Sequence, residues 1–194
     1  MPKLTRADLF SLEDYAAARP EFRARVMAHK KTRRVQIGPH GALYFEDRLT
    51  MQYQVQEMLR AERIFEAAGI EEELAAYNPL VPDGRNWKAT FMLEFEDVQE
   101  RQQALARMLG IEKRVWVRVQ GFDPVWAIAD EDLERESEEK TASVHFLRFE
   151  LTPEMIAALR AGSALAMGID HDAYRHQVDQ LADAVRDSLL ADLA

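Results

Sequence analysis

Glu62 is the residue whose position most strongly suggests chemistry. Four apolar residues share one face of a helix predicted over about residues 46–68: Met51, Val55, Met58 and Phe65. At about 100° per residue, Glu62 projects onto the middle of this stripe. An unpaired buried carboxylate is very costly, so Glu62 would need a cation, a proton or a metal as its partner. Glu62 is therefore a candidate catalytic residue.

Alternating strands predicted between residues 88 and 151 supply a second group of candidates. If they form one sheet, one of its faces mixes charged with large apolar side chains: Lys88, Thr90, Met92, Glu94, Arg114, Trp116, Arg118, Val144, Phe146, Arg148 and Glu150. Arginines hold anions, so Arg118 and Arg148, with Trp116 beside them, are candidate ligand-binding residues. Glu150 joins Glu62 as a candidate acid or base, if desolvation raises its pKa. A solvated face with cross-strand ion pairs is the alternative.

Two further arginines lie in segments that suit an anion. Arg85 belongs to a loop predicted over residues 76–88, whose backbone groups could hold an anion, although a plain surface loop explains it as well. Arg34 ends a stretch that starts at Arg19 and holds seven basic residues and one acid. This stretch either packs against the acidic remainder of the chain or docks a phosphate or an acidic partner.

Glu62, His145 and His171 are candidate ligands for iron, manganese or zinc. Both histidines have a simpler explanation: His145 begins the apolar face of its strand, and helix capping accounts for the Asp170-His171-Asp172 sequence. No spacing matches a known metal-ligand signature. The sequence also lacks a phosphate loop, a dinucleotide-binding glycine motif and a nucleophile elbow, so no cofactor is assigned.

Composition narrows the class of protein. The chain has 194 residues and a net charge of −9, which argues against broad binding to nucleic acid or to an anionic membrane. The absence of cysteine excludes disulfides, zinc–thiolate sites and iron–sulfur clusters held by this chain's own cysteines. No apolar run approaches the roughly 20 residues that span a bilayer, and no signal-peptide pattern opens the sequence. A cytoplasmic protein is the expectation.

The hydrophobic periodicity predicts an α+β fold. Helices over 11–18 and 20–34 precede a hairpin over 35–45 and the long central helix. The later strands alternate in polarity, which favours a mainly antiparallel sheet with helices on one face. The acidic residues 130–140 predict a surface loop or a frayed helical turn. An amphipathic C-terminal helix is predicted from Asp172 onward.

These elements predict one domain over residues 1–194. Its N-terminal helical part, about 1–75, is expected to pack on an α+β part over about 76–194. If the central helix covers the mixed sheet face, Glu62 could meet Arg118 or Arg148 and form a carboxylate–guanidinium pair.

Four segments together resemble a bacterial family of uncharacterised function: RRVQIGPHGALYFEDRLTMQYQVQEMLRAERI (33–64), YNPLVPDGRNWKATFMLEF (77–95), KTASVHFLRFEL (140–151) and GIDHDAY (168–174). Members of that family are often encoded beside a rubrerythrin-like protein and an iron–sulfur oxidoreductase. The resemblance implies a role near peroxide defence or iron–sulfur redox metabolism, and it assigns no catalytic residue.

Three functions remain open. The chain is expected to be an accessory protein that binds a redox enzyme, which suits its lack of catalytic signatures. Alternatively it is a small enzyme or binding protein that holds an anionic ligand with Arg118, Arg148 and Glu62. A third possibility is a non-haem metal protein.

Overall fold

The computed structural model describes residues 2–129 and 141–194. Within these ranges the chain forms six α-helices and two four-stranded antiparallel sheets. The helices are α1 Leu12–Lys30, α2 Arg48–Glu62, α3 Ala67–Tyr77, α4 Val98–Arg107, α5 Pro153–Arg160 and α6 Asp183–Leu190. The strands are β1 Arg34–Ile37, β2 Gly41–Glu46, β3 Asn86–Leu93, β4 Val115–Val119, β5 Val125–Trp126, β6 Val144–Glu150, β7 Leu165–His171 and β8 Tyr174–Val178.

The first sheet has the strand order β1-β2-β3-β6, and the second has the order β5-β4-β7-β8. The predicted α+β fold with mainly antiparallel sheet is confirmed. The strands are divided between two sheets, however, so the expectation that all of them share one sheet is wrong. Alternating polarity marks a strand with one buried face, and it carries no information about which strands pair.

One hydrophobic core joins the inner faces of the two sheets. Alternate residues of each strand point into it, and helices α4, α5 and α6 contribute further side chains. Fully buried examples from the first sheet are Phe45, Phe91 and Phe149, and Met167 and Val117 come from the second. The other face of each sheet points away from this core and is called its outer face below.

Hydrogen bonds of the Tyr174 side chain connect the β1–β2 hairpin to the second sheet. Its hydroxyl donates to the Ile37 carbonyl (2.7 Å) and accepts from the backbone N–H groups of His40 (2.9 Å) and Gly41 (2.8 Å). Gly38 has φ +69°, and a Cβ there would lie 2.6 Å from the Tyr174 hydroxyl oxygen. The turn therefore needs glycine both for its backbone conformation and for space.

Helices α1, α2 and α3 form a helical layer over the outer face of the first sheet. Between α1 and α2 pack Tyr15, Phe22 and Tyr53. Leucines of α2 and α3 form a second cluster, against which Phe146 of β6 packs from the sheet. None of the helices in the described part of the chain has the length and apolar character needed to cross a membrane.

The predicted central helix over 46–68 is too long. Helix α2 ends at Glu62, and Arg63 adopts the left-handed conformation with φ 57°. A second helix, α3, starts at Ala67 and runs through Gly69, just past the predicted end of the central helix. Gly69 instead leaves space for Ile64, since a Cβ on it would lie 2.7 Å from the Ile64 side chain.

Two more helix boundaries differ from the prediction. Helix α1 is continuous through Pro20, because buried residues on both sides of the proline, Tyr15 and Phe22, pack in one cluster with Tyr53 of α2. The amphipathic C-terminal helix exists, but it starts at Asp183, and residues predicted as its first turns form β8, paired with β7. The acidic segment 130–140, predicted as a surface loop, lies outside the described residues.

Candidate functional site

A cavity of about 460 Å³ lies between the helical layer and the outer face of the first sheet. We call it the interlayer cavity. Its lining is mostly apolar: Met27, Lys30, Tyr44, Glu46, Met51, Gln54, Tyr77, Leu80, Thr90, Met92, Val144 and Phe146. Small-molecule sites typically enclose about 300–1,000 Å³ and combine apolar walls with a few polar groups. The interlayer cavity fits this description.

The sheet register explains how the floor of the cavity forms. Tyr44, Thr90 and Phe146 lie side by side across β2, β3 and β6, and Met92 and Val144 form part of the next row. Large apolar residues of this sheet face therefore line a cleft under the helical layer. Met51 of α2 closes the cavity from the opposite side.

Glu46 is held in place by the junction between β2 and α2. The buried Arg33 guanidinium donates to the backbone carbonyls of Phe45 (3.0 Å) and Glu46 (3.2 Å). The next residue, Asp47, caps α2 by accepting the Thr50 N–H at 2.8 Å. A backbone fixed on both sides of Glu46 leaves its side chain directed onto the outer sheet face, where it lines the cavity.

The Glu46 carboxylate is buried with few partners. The residue is 7% exposed, and Thr90 donates its hydroxyl to Oε1 at 2.8 Å. No ion pair joins Glu46 to another residue of the described ranges. Lys88 lies opposite Glu46 in the β2–β3 register but does not line the cavity. A carboxylate with one neutral donor is poorly compensated for the loss of water.

At the junction between β2 and α2, Arg33 also forms ion pairs with two buried carboxylates, those of Asp47 and Asp192. Burial raises the pKa of Asp192 to about 6, although Arg33 acts in the opposite direction. For Asp47 burial is again the largest influence, but Arg33, the Thr50 N–H and His29 together outweigh it and lower the pKa. This charged cluster ties β2 and α2 to the C-terminal segment after α6.

Glu62 is exposed at the end of α2, so the expectation that it is buried is wrong. The helical projection assumed that the helix continues, whereas the chain turns at Arg63 and leaves Phe65 72% exposed. Met51 and Val55 of the predicted stripe are buried, and Leu59 continues the buried face of α2.

The other predicted site residues lie on two different surfaces. Arg148 and Glu150 are on the outer face of the first sheet, where they form an ion pair with each other. Trp116 and Arg118 are on the outer face of the second sheet, where the guanidinium lies 5.2 Å from the Trp116 ring. The shared core separates the two surfaces, so the structure does not bring Arg118, Arg148 and Glu62 together.

Arg34 and Arg85 are also separate from the cavity lining. Arg34 donates to the Tyr44 hydroxyl at 2.8 Å and pairs with Glu94 at 3.1 Å. Arg85 is exposed, and its backbone N–H donates to Asp83 in a local turn. Of the basic stretch, Arg19 pairs with Glu57 at 2.7 Å, and Arg33 is buried. These arginines bind acidic groups of the same chain, which favours the packing interpretation of the stretch.

The three predicted metal ligands lie apart. His145 is buried in the inter-sheet core, with Nε2 3.0 Å from the Thr141 hydroxyl. His171 uses both ring nitrogens, since Nε2 contacts the Leu109 carbonyl at 3.0 Å and Nδ1 accepts from the Ala173 N–H at 3.1 Å. Within residues 2–129 and 141–194, no three histidine or acidic side chains are grouped as metal ligands.

Sequence reasoning missed Glu46, because it was assigned to the first turn of the central helix. The available signal was the alternation in β2, where Tyr44 and Glu46 take one face and Leu43 and Phe45 the other. Lys30 and Tyr77 were missed for a different reason, since only the packing of α1 and α3 against the sheet places them at the cavity.

The fold and the cavity define a two-sheet α+β protein with a helical layer that encloses a site of ligand size. The family described as a protein of unknown function, DUF3501, matches residues 3–193. The chain therefore belongs to the DUF3501 family. The expected membership of an uncharacterised family is confirmed.

A solved structure shares both the fold and much of the sequence. It is a crystal structure described as a novel protein of unknown function from Burkholderia pseudomallei K96243, 53% identical to this chain. The match covers 100% of both chains with a TM-score of 0.94. The search of curated proteins found no significant match.

Proposed function

We propose that the chain is a binding protein for a small, mainly apolar organic molecule, which occupies the interlayer cavity. The cavity itself carries the proposal, because it combines ligand-sized volume, apolar walls and the buried carboxylate of Glu46. This replaces the anionic-ligand site built from Arg118, Arg148 and Glu62, whose members lie on separate surfaces. Binding is the function proposed because volume, apolar walls and a buried carboxylate are the properties of a ligand site.

The test is a titration with a neutral fluorescent dye, N-phenyl-1-naphthylamine, whose emission rises in an apolar site. The wild type should bind the dye saturably with one site per chain. Val144→Phe adds volume inside the cavity and should weaken binding at least about tenfold, because the dye loses its space. Val144 lines the cavity and is only partly buried, so the folded structure can accept the larger ring.

Gln177→Phe is the matched control. It adds the same ring on the exposed outer face of the second sheet and should leave the dissociation constant unchanged. Equal binding by wild type and Val144→Phe would place the dye elsewhere and contradict the proposal. Absence of saturable binding by the wild type would contradict it as well.

A second candidate function is that of an accessory protein in a cytoplasmic redox or peroxide-defence system. An exposed apolar patch favours it: Phe65 is 72% exposed, Phe10 is 39% exposed, and both border a groove of about 240 Å³ lined by Leu9, Ile64 and other apolar residues. Exposed aromatic side chains around a groove are typical of protein-binding surfaces. The partners proposed are those that the family resemblance implies, a rubrerythrin-like protein or an iron–sulfur oxidoreductase.

Binding of each purified partner to the immobilised chain tests this role. Phe65→Ala should weaken the complex at least about tenfold if the ring inserts into the partner. Val98→Ala removes an apolar side chain that is 52% exposed elsewhere, and it should have no effect. Lack of binding to both proteins, or equal loss in the two variants, would overturn the accessory role.

A further inference from the structure

We infer that the interlayer cavity selects an organic cation, an apolar body with a protonated amine that pairs with the Glu46 carboxylate. The inference rests on the proposed function of the same cavity and adds the chemical class of the ligand. It is carried by the geometry around Glu46.

The first observation is the shortage of donors around Glu46. A carboxylate can accept about four hydrogen bonds, and the Thr90 hydroxyl supplies one at 2.8 Å. Glu46 is 7% exposed, so the carboxylate has lost most of the water that surrounds it in the unfolded chain. An ammonium group brings three donors and a compensating charge to the same acceptor, whereas a ligand carboxylate would be repelled.

The second observation is the arrangement of the other charges. Lys30 also lines the cavity, but its ammonium lies 6.0 Å from the Tyr53 ring, and that ring packs between α1 and α2. No ion pair links Lys30 to Glu46 in the described structure. Lys88, the register neighbour of Glu46, is not part of the lining and has interactions of its own. Among the described residues that line the cavity, Glu46 therefore carries the negative charge.

The third observation is the wall chemistry. Three aromatic rings line the cavity, those of Tyr44, Tyr77 and Phe146. Aromatic faces attract ammonium groups, most strongly where water is excluded. Three methionines, Met27, Met51 and Met92, supply polarizable apolar surface for the body of the ligand. Apolar walls, rings and one carboxylate together suit an aryl-alkyl amine.

Isothermal titration with three matched probes tests the inference. The probes are 4-phenylbutylamine, 4-phenylbutanol and 4-phenylbutyrate, which share one apolar body and differ in the charge of the end group. The wild type should bind the amine about tenfold more tightly than the alcohol, since a hydrogen bond between charged groups contributes about that factor. The acid should bind most weakly. This ranking needs no variant.

Two variants test whether the Glu46 carboxylate causes the preference for the amine. Glu46→Gln keeps an oxygen for the Thr90 hydroxyl but removes the charge, so the amine and the alcohol should then bind within about threefold of each other. Glu150→Gln is the matched control on the same sheet face, where Glu150 is paired with Arg148 and does not line the cavity. It should retain the wild-type ranking.

The outcomes separate this inference from the proposed function. Equal binding of amine, alcohol and acid, or a preference that survives Glu46→Gln, would overturn the cation inference while the cavity still binds ligand. A preference lost equally in Glu150→Gln would also overturn it. Failure of all three probes and of the neutral dye to bind the wild type would overturn the binding function itself.

Discussion

The outer faces of the two sheets have similar chemistry and different surroundings. Each mixes aromatic rings with arginines and carboxylates. The outer face of the first sheet lies under the helical layer, where Glu46 and Lys88 are both 7% exposed. The outer face of the second sheet is open, with Trp126 42% exposed and the Arg175 side chain 67% exposed. Burial by the helical layer turns a common sheet surface into a candidate binding site.

The comparison also shows how differently the two regions use ion pairs. Arg33, with 2% of its side chain exposed, joins Asp47 and Asp192 beneath the covered face. On the open face Asp170 pairs with two exposed arginines, Arg114 and Arg175. Coulomb interactions are strong where water is absent and weak where it is present, so these pairs should differ in energy.

The largest expected effect is on Arg33. Arg33→Ala leaves two buried carboxylates without their shared cation and should lower the free energy of unfolding by about 3–5 kcal/mol. The matched change on the open face, Arg175→Ala, should cost less than about 1 kcal/mol. Urea unfolding of both variants measures the difference. Equal losses would contradict the claim that burial sets the strength of these pairs.

Gly168→Ala tests the packing of the open face. The Trp116 ring lies across Gly168, and a Cβ there would be 2.4 Å from the ring. Moving the ring should cost about 1–3 kcal/mol. The same substitution in a Trp116→Leu background should cost much less, and a double-mutant cycle by urea unfolding measures this coupling. A cost that persists without the indole would show that the contact is not its cause.

Asp192→Asn tests the charged cluster through pH. The pKa of Asp192 rises from 3.8 to about 6 on folding because of burial. The folded state then binds the proton more tightly, so this contribution to stability is complete below about pH 3.8 and is lost as pH rises through about 6. Asp192→Asn removes this proton-binding group. Between about pH 3.8 and 6, the free energy of unfolding of the variant should therefore lack the decrease that Asp192 contributes in the wild type. Parallel stability curves of the two proteins would contradict the raised pKa.

The smallest expected effect is stabilising. Arg63 adopts a left-handed conformation at the end of α2, which glycine accepts without a Cβ clash. Arg63→Gly should raise the free energy of unfolding by about 0.5–1 kcal/mol, after the greater freedom of glycine in the unfolded chain is deducted. Arg60→Gly, one turn earlier in regular helix, should destabilise by a similar amount. Thermal melts should show a higher Tm for Arg63→Gly and a lower Tm for Arg60→Gly than for the wild type.

Local patterns predicted most elements but not their partners. The hairpin, β3 and β6 follow from alternation and turn residues near the expected positions. Trp116 and Phe146 were placed on one face because their strands alternate alike, yet the pairing of β6 with β3 and of β4 with β7 separates them. Strand pairing depends on long-range contacts that a polarity pattern does not contain.

The site was harder to predict than the fold. Glu62 looked anomalous only because the helix was extended past Arg63, where neither glycine nor proline marks the end. Glu46 looked ordinary because a carboxylate near a helix start usually serves as a cap. Its burial follows from α1, α2 and α3 packing over the sheet, which is a tertiary property.

Methionine methyl spectra test the binding function most directly, because methionines lie both in the interlayer cavity and in the inter-sheet core. With ¹³C-methyl methionine and increasing 4-phenylbutanol, a neutral probe, we expect saturable shifts for the cavity residues Met27, Met51 and Met92. Three other methionines, Met108, Met155 and Met167, lie in the inter-sheet core, and their methyl signals should not shift. Shifts confined to the core methionines, or no saturable shift in any methyl group, would contradict a ligand site between the helical layer and the first sheet.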